Sequence, residues 1–312
     1  MLSAANLQVA ESSRQGPAGF PITRIEAGSG KLTEFEPASP ANYEGYWRPG
    51  FYVGPRGSVY ALIQAFKHPL AYHKGPNIPS ILVVKYHDDG TVDSVTKLEP
   101  PPEFQPEPWA VAAFQDGSFL LTGYLVSGTP GVSKNLMPTK PFTWVFYPSG
   151  AFEAPLALAD DIHPPDKNWT KEGWKGGEWL MDVQLSRMLG SVGGTVYLYR
   201  ATDPVRLYAV SAGGSVFREV TIKPPEPGMR PMQASLTGNG EILIQFRGTP
   251  TRKNPMPQIV LTLADLRTGT VAGNYKIPPG AGAPACAAPQ GGFLFLNESK
   301  QGNMQAQTFV PE

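Results

Sequence analysis

The sequence predicts an all-β fold, and three observations support this prediction. Glycine and proline each occur 34 times in 312 residues, about a fifth of the chain together, which is typical of a protein with many turns. Aromatic residues make up 11% of the chain, more than a disordered protein carries. Short runs of β-branched and aromatic residues, such as 59–64 and 81–86, alternate with glycine-marked turns, and this pattern signals β-hairpins.

The turns themselves form a repeat. Ten glycine-marked turns flanked by strand-like runs predict about twenty strands, and they fall into two alternating sets. The first set is Gly57, Gly117, Gly194, Gly240 and Gly292, and the second set is Gly30, Gly90, Gly150, Gly214 and Gly269. Successive glycines of the second set are 60, 60, 64 and 55 residues apart.

An internal repeat of this size with four strands in each copy is typical of a β-propeller, in which four-stranded blades pack around an axis. We predict one propeller domain over residues 20–312, after a poorly ordered N-terminal arm of residues 1–19. Five blades are expected, with six as the alternative. A β-sandwich or two small barrels would also space strands regularly, but neither needs two alternating families of turns.

The two ends of the chain predict how the ring closes. Residues 22–35 match an outer hairpin, and the C-terminal part supplies the inner hairpin around Gly292. A last blade built from both ends would hide sheet edges that otherwise invite aggregation. Residues 304–310 also resemble a strand, which either replaces 22–25 in that blade or begins a further one.

Charge and composition exclude several classes of partner. Formal net charge is zero, with 26 basic and 26 acidic residues, which argues against attraction of the whole protein to nucleic acid or an anionic membrane. No stretch approaches the ~18 apolar residues of a membrane helix. We therefore expect no nucleic-acid partner and no membrane span, and we expect a monomer.

Cysteine usage and the chain start bear on the compartment. Cys286 is the single cysteine, so no intramolecular disulfide forms, which is compatible with the cytosol and with the bacterial periplasm. Residues 1–6 lack the basic and apolar regions of a signal peptide. Two interpretations stay open, an intracellular protein or an exported one whose leader precedes this numbering. We favour the exported one, periplasmic or extracellular.

If the chain forms a propeller, the lengths of its loops predict which face is functional. Turns between the first and second and between the third and fourth strands of each blade share one face, and these are short. The other connections share the opposite face, and long loops are usually functional. We therefore expect the ligand on the long-loop face, which carries the connections 65–80, 126–141, 159–178 and 248–257.

The candidate ligand-binding residues near this face are large aromatic, cationic, imidazole or carboxylate side chains. Tryptophan can stack on sugars or bury a partner's side chains. For Trp47 and Trp109, packing between blades is the competing interpretation, because both begin inner strands. The insertion 160–180 is the best candidate for a lid. The candidates are Trp47, Arg48, His68, His73, Trp109, Trp169, Trp174, Glu178, Trp179, Asp182, Arg230 and Arg247.

No metal site or cofactor motif is complete in the sequence. His68 and His73 lie five residues apart in one loop, but no cysteine or carboxylate cluster accompanies them. We therefore predict no metal and no cofactor.

The apolar strands and the aromatic or valine residues after Asp-Gly and Gly-Gly turns resemble propellers of the NHL-repeat and YVTN-type group, over residues 20–310. The resemblance implies a fold that commonly binds ligands. Related five-bladed propellers include glycoside hydrolases, which implies carboxylates in the central funnel, and Glu107, Glu178 and Asp182 could take that place. Trp47 and Arg48 stand where the first inner strand would need an acid.

These observations favour a binding or scaffold propeller over an enzyme. The predicted ligand is a protein partner or a saccharide-like molecule on the long-loop face. The alternative is a hydrolase or lactonase with carboxylates in the funnel, which could be metal-dependent. Two carboxylates about 5–10 Å apart would favour the enzyme, because glycosidases need such a pair.

Overall fold

The structure is a computed structural model that divides into two compact units. The larger contains residues 8–198 and 209–217, and the smaller contains residues 199–208 and 218–312. The prediction of a single domain over 20–312 stays a prediction. The residues that the structure describes are 22–25, 32–35, 38, 41–43, 45–54, 58–67, 78–127, 137–156, 158, 185–237, 240–248, 258–277, 283–287, 293–298 and 304–309.

The described residues form twenty-one β-strands and one short 3-10 turn at Ala212–Gly214. None of these residues belongs to a helix long and apolar enough to cross a membrane. In chain order the strands are β1 (Ile22–Ile25), β2 (Leu32–Phe35), β3 (Gly45–Val53), β4 (Val59–Phe66), β5 (Ser80–Tyr86), β6 (Val92–Leu98), β7 (Pro106–Ala113), β8 (Phe119–Ser127), β9 (Met137–Phe146), β10 (Phe152–Pro155), β11 (Arg187–Val192), β12 (Thr195–Arg200), β13 (Val205–Ser211), β14 (Ser215–Ile222), β15 (Arg230–Leu236), β16 (Glu241–Arg247), β17 (Ile259–Asp265), β18 (Val271–Lys276), β19 (Ala283–Ala287), β20 (Phe293–Glu298) and β21 (Met304–Phe309).

Sixteen of these strands form four four-stranded sheets, each made of strands consecutive in the chain. We number them sheet 1 (β3–β6), sheet 2 (β7–β10), sheet 3 (β11–β14) and sheet 4 (β15–β18). The first strand of each, and β19 of the three-stranded sheet β19–β21, is called its inner strand. In the larger unit the inner strands β3, β7 and β11 contact one another. Antiparallel four-stranded sheets that meet through their first strands fit a β-propeller, which confirms the all-β prediction.

The middle strands carry the core. β4 buries every side chain from Ala61 to Phe66, and β5 is buried over most of its length, whereas the outer strand β6 is largely exposed. A strand buried on both faces needs cover on both sides of its sheet. Contacts between neighbouring sheets supply part of this cover, as where β4 of sheet 1 contacts β7 of sheet 2.

One backbone hydrogen bond links the segment after the N-terminal hairpin β1–β2 to sheet 1. The Ala38 N–H, just after β2, donates a 3.1 Å hydrogen bond to the Gly90 carbonyl oxygen in sheet 1. The Glu99 N–H, just after β6, donates an equivalent 2.8 Å bond to the Gly150 carbonyl oxygen in sheet 2. A similar backbone hydrogen bond thus follows β2 and β6, and the outer-hairpin role of β1–β2 stays a prediction.

The predicted strand at 304–310 exists as β21 (Met304–Phe309). It pairs antiparallel with β20 over six residue pairs, from Phe293–Phe309 to Glu298–Met304. β21 is thus the third strand of the sheet β19–β21, and among the described residues it does not begin a further sheet.

Seven of the ten turn glycines are described, and every one has a positive φ. Only glycine adopts this left-handed conformation without a steric penalty, so the turns explain why the sequence repeats glycine there. The prediction of hairpin turns at these positions is confirmed; Gly30, Gly57 and Gly292 lie outside the described residues. The φ values are 85° at Gly90, 89° at Gly117, 90° at Gly150, 83° at Gly194, 71° at Gly214, 77° at Gly240 and 71° at Gly269.

The predicted connection 126–141 was too long, because β9 already begins at Met137. Prolines suggested a loop, but Pro138 and Pro141 pair with β8 in this strand. The neighbour β10 pairs only with residues 144–146 of β9, so the start of β9 is an edge, where proline is tolerated. Most of the four long connections, at 68–77, 128–136, 159–184 and 249–257, lies outside the described residues.

Candidate functional site

A break in strand register recurs near the start of four inner strands, and each break falls at a proline. Proline has no N–H to donate and is confined to sheet edges and bulges, so these positions suit it. This repeat was not predicted from the sequence, although a proline near the start of four of the five inner strands was its signal. The breaks lie between Trp47 and Gly50, which enclose Pro49, and between Pro108 and Ala110, Pro231 and Gln233, and Pro284 and Cys286.

The bulge in β7 turns a tryptophan outwards. Pro108 pairs with Gly123 and Ala110 pairs with Thr122, so Trp109 has no residue opposite it in β8. The Trp109 side chain is 51% exposed. Its ring meets the buried Tyr124 ring edge-on, with the two centroids 6.5 Å apart. Packing against neighbouring residues therefore buries only about half of the surface of this side chain, and the other half is accessible to a ligand.

Gly123 makes room for the bulge. A Cβ atom at this position would overlap the Glu107 carbonyl oxygen and would lie 2.9 Å from the Pro108 Cα. The φ of Gly123 is not in the left-handed region, so the requirement for glycine comes from the close approach of the β7 backbone and not from backbone strain. The sequence shows the glycine, but only the register shows what it accommodates.

Glu107 lies beside this bulge. It pairs with Tyr124, and its half-buried side chain loses solvation, which raises the pKa of the carboxyl group above the ordinary glutamate value. Glu107 is also the one acid within the five inner strands as the structure describes them. That Glu107 lies in a central funnel stays a prediction from the propeller resemblance.

Two buried polar atoms near Glu107 have no hydrogen-bond partner among the described residues, the Thr122 Oγ1 and the Gln105 Oε1. Thr122 stands two residues before Tyr124 on β8, so it lies on the face that carries Glu107. Buried polar atoms normally find a partner, and water or a ligand can supply one. We call Glu107, Trp109, Thr122 and Tyr124 the β7 bulge site.

The raised pKa of Glu107 predicts a pH effect on stability. Between the unfolded-state value of about 4.3 and the higher folded-state pKa, the unfolded chain releases its proton first, so stability falls as pH rises. We expect Glu107→Gln to increase the free energy of unfolding at pH 7, measured by urea denaturation. The gain should shrink below pH 4, where both states hold the proton; an equal gain at both pH values would contradict this account.

Four of the predicted candidates lie in or near these breaks. Trp109 lies within the break in β7, and Trp47, which pairs with Gln64, is the last residue of β3 in register before the break in that strand. In sheet 4, Arg230 pairs with Arg247 of β16, one pair ahead of the pair that borders the break, and both arginines are exposed. The four positions are therefore not equivalent from sheet to sheet. The backbone of Trp47 and Arg48 belongs to β3, and their side chains lie outside the described part.

The other predicted candidates lie outside the described residues. They are His68, His73, Glu178, Asp182 and the predicted lid 160–180. In the part of the chain that is described, no three His, Cys, Asp or Glu side chains come together to hold a metal. The tryptophans of the predicted lid, which also lie outside the described residues, are Trp169, Trp174 and Trp179.

Comparison with known proteins addresses the fold alone. No protein-family model and no curated protein sequence matches the chain. A Dyadobacter fermentans protein of unknown function is similar in structure at 13% identity with a TM-score of 0.50, over 88% of this chain and 81% of that one. This similarity is one of fold.

Two enzymes are more distant in structure. The Penicillium chrysogenum α-L-arabinanase has 12% identity and a TM-score of 0.43, over 92% of this chain and 83% of its own. Virginiamycin B lyase from Staphylococcus aureus has 12% identity and a TM-score of 0.41, over 94% and 78%. At these scores the enzymes carry no argument about the activity of this chain.

Proposed function

We propose that the protein binds a saccharide-like ligand at the β7 bulge site without cleaving it. The observation that carries this proposal is the half-exposed Trp109 indole beside the partly buried Glu107 carboxyl. An exposed indole offers an apolar face on which a sugar ring can stack. The Glu107 carboxyl oxygens can exchange hydrogen bonds with sugar hydroxyls, and polar groups beside an apolar surface fix a ligand's orientation.

The number of acids favours binding over hydrolysis. Glycosidases of the common kinds use two carboxylates on either side of the scissile bond. The five inner strands, as described, contain only Glu107. A protein partner could bury the same indole, because tryptophan is enriched at interface hot spots. A glycan array with a peptide library beside it distinguishes these ligands.

One observation favours the hydrolase as a second candidate. Because its pKa is raised, the Glu107 carboxyl group keeps its proton to a higher pH than an ordinary glutamate, and a general acid needs this property. A second carboxylate would have to come from Glu178 or Asp182. Release of reducing sugar from the bound glycan, abolished by Glu107→Gln, would support hydrolysis over binding.

The binding proposal predicts that Trp109→Ala lowers the affinity for the glycan found in the array by at least about tenfold. Loss of a central aromatic contact costs more than about 1.4 kcal/mol of binding free energy. Titration calorimetry measures the dissociation constant. Tyr147→Ala is the matched control, because Tyr147 is 48% exposed but lies in the turn after β9. Equal affinity of wild type and Trp109→Ala would contradict the proposal.

We propose further that the sheets form a five-bladed propeller, with β1–β2 and β19–β21 contributing to the last blade. The hydrogen bond from Ala38 to Gly90 supports an outer-hairpin role for β1–β2. The contacts of β19 with β15 and β16 support an inner-strand role for β19. The two elements hold five strands, one more than a blade needs. A crystal structure with six separate four-stranded blades around the axis would contradict this count.

A further inference from the structure

The carboxyl group of Glu107 has no partner for its charge among the described residues. Loss of solvation raises its pKa, and no neighbouring charge or hydrogen bond from the described part of the chain contributes to this shift. Lys140 is the one basic residue in strands β7 to β10, and it stands opposite Leu125, on the face away from Tyr124 and Glu107. A counter-charge for Glu107 can therefore come from a ligand.

The indole of Trp109 lies on the same face of sheet 2 as this carboxyl group. Glu107 stands directly opposite Tyr124 in an antiparallel pair, so both side chains point to one face. The Trp109 ring meets the Tyr124 ring edge-on, with the centroids 6.5 Å apart, which places the indole on that face too. Tyr124 is thus a common neighbour of the Glu107 carboxyl group and of the half-exposed Trp109 indole.

A carboxylate and an indole on one face favour a cationic group over a neutral or anionic one. When a ligand covers a half-buried carboxylate, the loss of water costs free energy unless an opposite charge replaces the solvent. A cation above an indole is also attracted by the negative face of the ring. An anionic group would be repelled by Glu107, and a neutral group would leave the charge of Glu107 uncompensated.

We propose that the saccharide bound at the β7 bulge site carries a primary ammonium group, as an amino sugar does. The ammonium group donates hydrogen bonds to the Glu107 carboxylate and lies against the Trp109 ring, and a neighbouring sugar hydroxyl donates to the second carboxyl oxygen. This inference rests on the proposed function, because it specifies the chemistry of the ligand at the same site. A lysine side chain carries the same ammonium group, so the test separates the two sources.

The test compares three trisaccharides that share one backbone and differ in one substituent on each ring. The chitosan trisaccharide carries an amine, the chitin trisaccharide carries a neutral acetamide, and cellotriose carries a hydroxyl. Titration calorimetry of the full chain in low-salt buffer measures their dissociation constants. A pH of about 6.5 keeps most of the amine protonated, because such amines titrate near the α-amino value of about 7.7–8.0. We expect the chitosan trisaccharide to bind at least about tenfold tighter than either neutral trisaccharide.

Glu107→Gln removes the charge but keeps the size of the side chain and its ability to form hydrogen bonds. It should lower the affinity for the chitosan trisaccharide to about that of the neutral ones and leave the neutral ones bound as before. Added sodium chloride should weaken binding of the chitosan trisaccharide to wild type but not to Glu107→Gln, because salt screens the attraction between charges. Glu153→Gln is the matched control, because Glu153 is a partly buried glutamate on the outer strand β10 of the same sheet. It should leave all three affinities unchanged.

Two results would overturn this inference and leave the saccharide proposal intact. They are binding of a neutral trisaccharide as tight as that of the chitosan trisaccharide, and a preference for the chitosan trisaccharide that Glu107→Gln retains, with binding still lost in Trp109→Ala. Binding of a lysine tripeptide without binding of any trisaccharide would assign the ammonium group to a protein partner and overturn both proposals. Absence of binding by all four probes would also overturn the inference, whereas a glycan from the array that loses affinity in Trp109→Ala would still support the proposed function.

Discussion

Replacing Gly150 by alanine is expected to lower the free energy of unfolding by about 3 kcal/mol, the sum of left-handed strain and overpacking. Gly150 has a φ of 90°, and a Cβ atom there would overlap the Lys97 carbonyl oxygen at the end of β6. The Gly150 carbonyl oxygen also accepts the hydrogen bond from Glu99. The substitution therefore strains the turn and separates sheet 2 from sheet 1.

Gly213→Ala separates these two effects. Gly213 has a similar φ of 74° and lies in a turn of the same unit, but a Cβ atom there would meet nothing within 4 Å. It should cost only the backbone strain, about 1–2 kcal/mol. Urea denaturation of both variants gives the difference. Equal losses would mean that the contact between sheets adds nothing to the requirement for glycine at position 150.

Gly123→Ala is the second substitution with a large expected effect, about 2–3 kcal/mol of stability, because the added methyl group meets backbone that cannot move aside freely. The Cβ atom would overlap the Glu107 carbonyl oxygen, so the β7 bulge has to shift. Trp109 is the residue that the bulge turns outwards. We therefore expect Gly123→Ala to weaken saccharide binding even though Gly123 has no side chain to contact a ligand.

Gly50→Ala serves as its control. Gly50 follows the equivalent break in β3, and a Cβ atom there would meet nothing within 4 Å. Its stability should change by less than about 0.5 kcal/mol, as at an unconstrained site. Calorimetry at a temperature where both variants are folded gives the affinities. Normal binding by Gly123→Ala would show that the bulge does not position Trp109 for the ligand.

Much of the fold could be predicted because its main constraint is local. A hairpin turn with positive φ needs glycine, so Gly90, Gly117 and Gly150 mark turns in the sequence as clearly as in the structure. The start of β9 was misplaced because proline signals a loop in isolation. Pro138 lies at a sheet edge only because β10 is too short to pair with it, and β10 begins fourteen residues further along the chain.

The site could be predicted by residue type but not by arrangement. Residue type near the long-loop face suggested Trp109, Arg230 and Arg247. The structure places Trp109 within the β7 bulge and places Arg230, paired with Arg247 at the end of β16, near the β15 bulge. Thr122 and Gly123 were missed, because their relation to Glu107 depends on the pairing of β7 with β8. A bulge shifts that pairing by one residue, and no local propensity reveals a shift of this kind.

A crystal structure of the protein with the glycan selected by the array tests the central claim most directly. The account predicts a sugar ring stacked on the Trp109 indole, with a ring hydroxyl within hydrogen-bond distance of the Glu107 carboxyl. A sugar bound at another part of the chain, with the Trp109 indole still open to solvent, would contradict it.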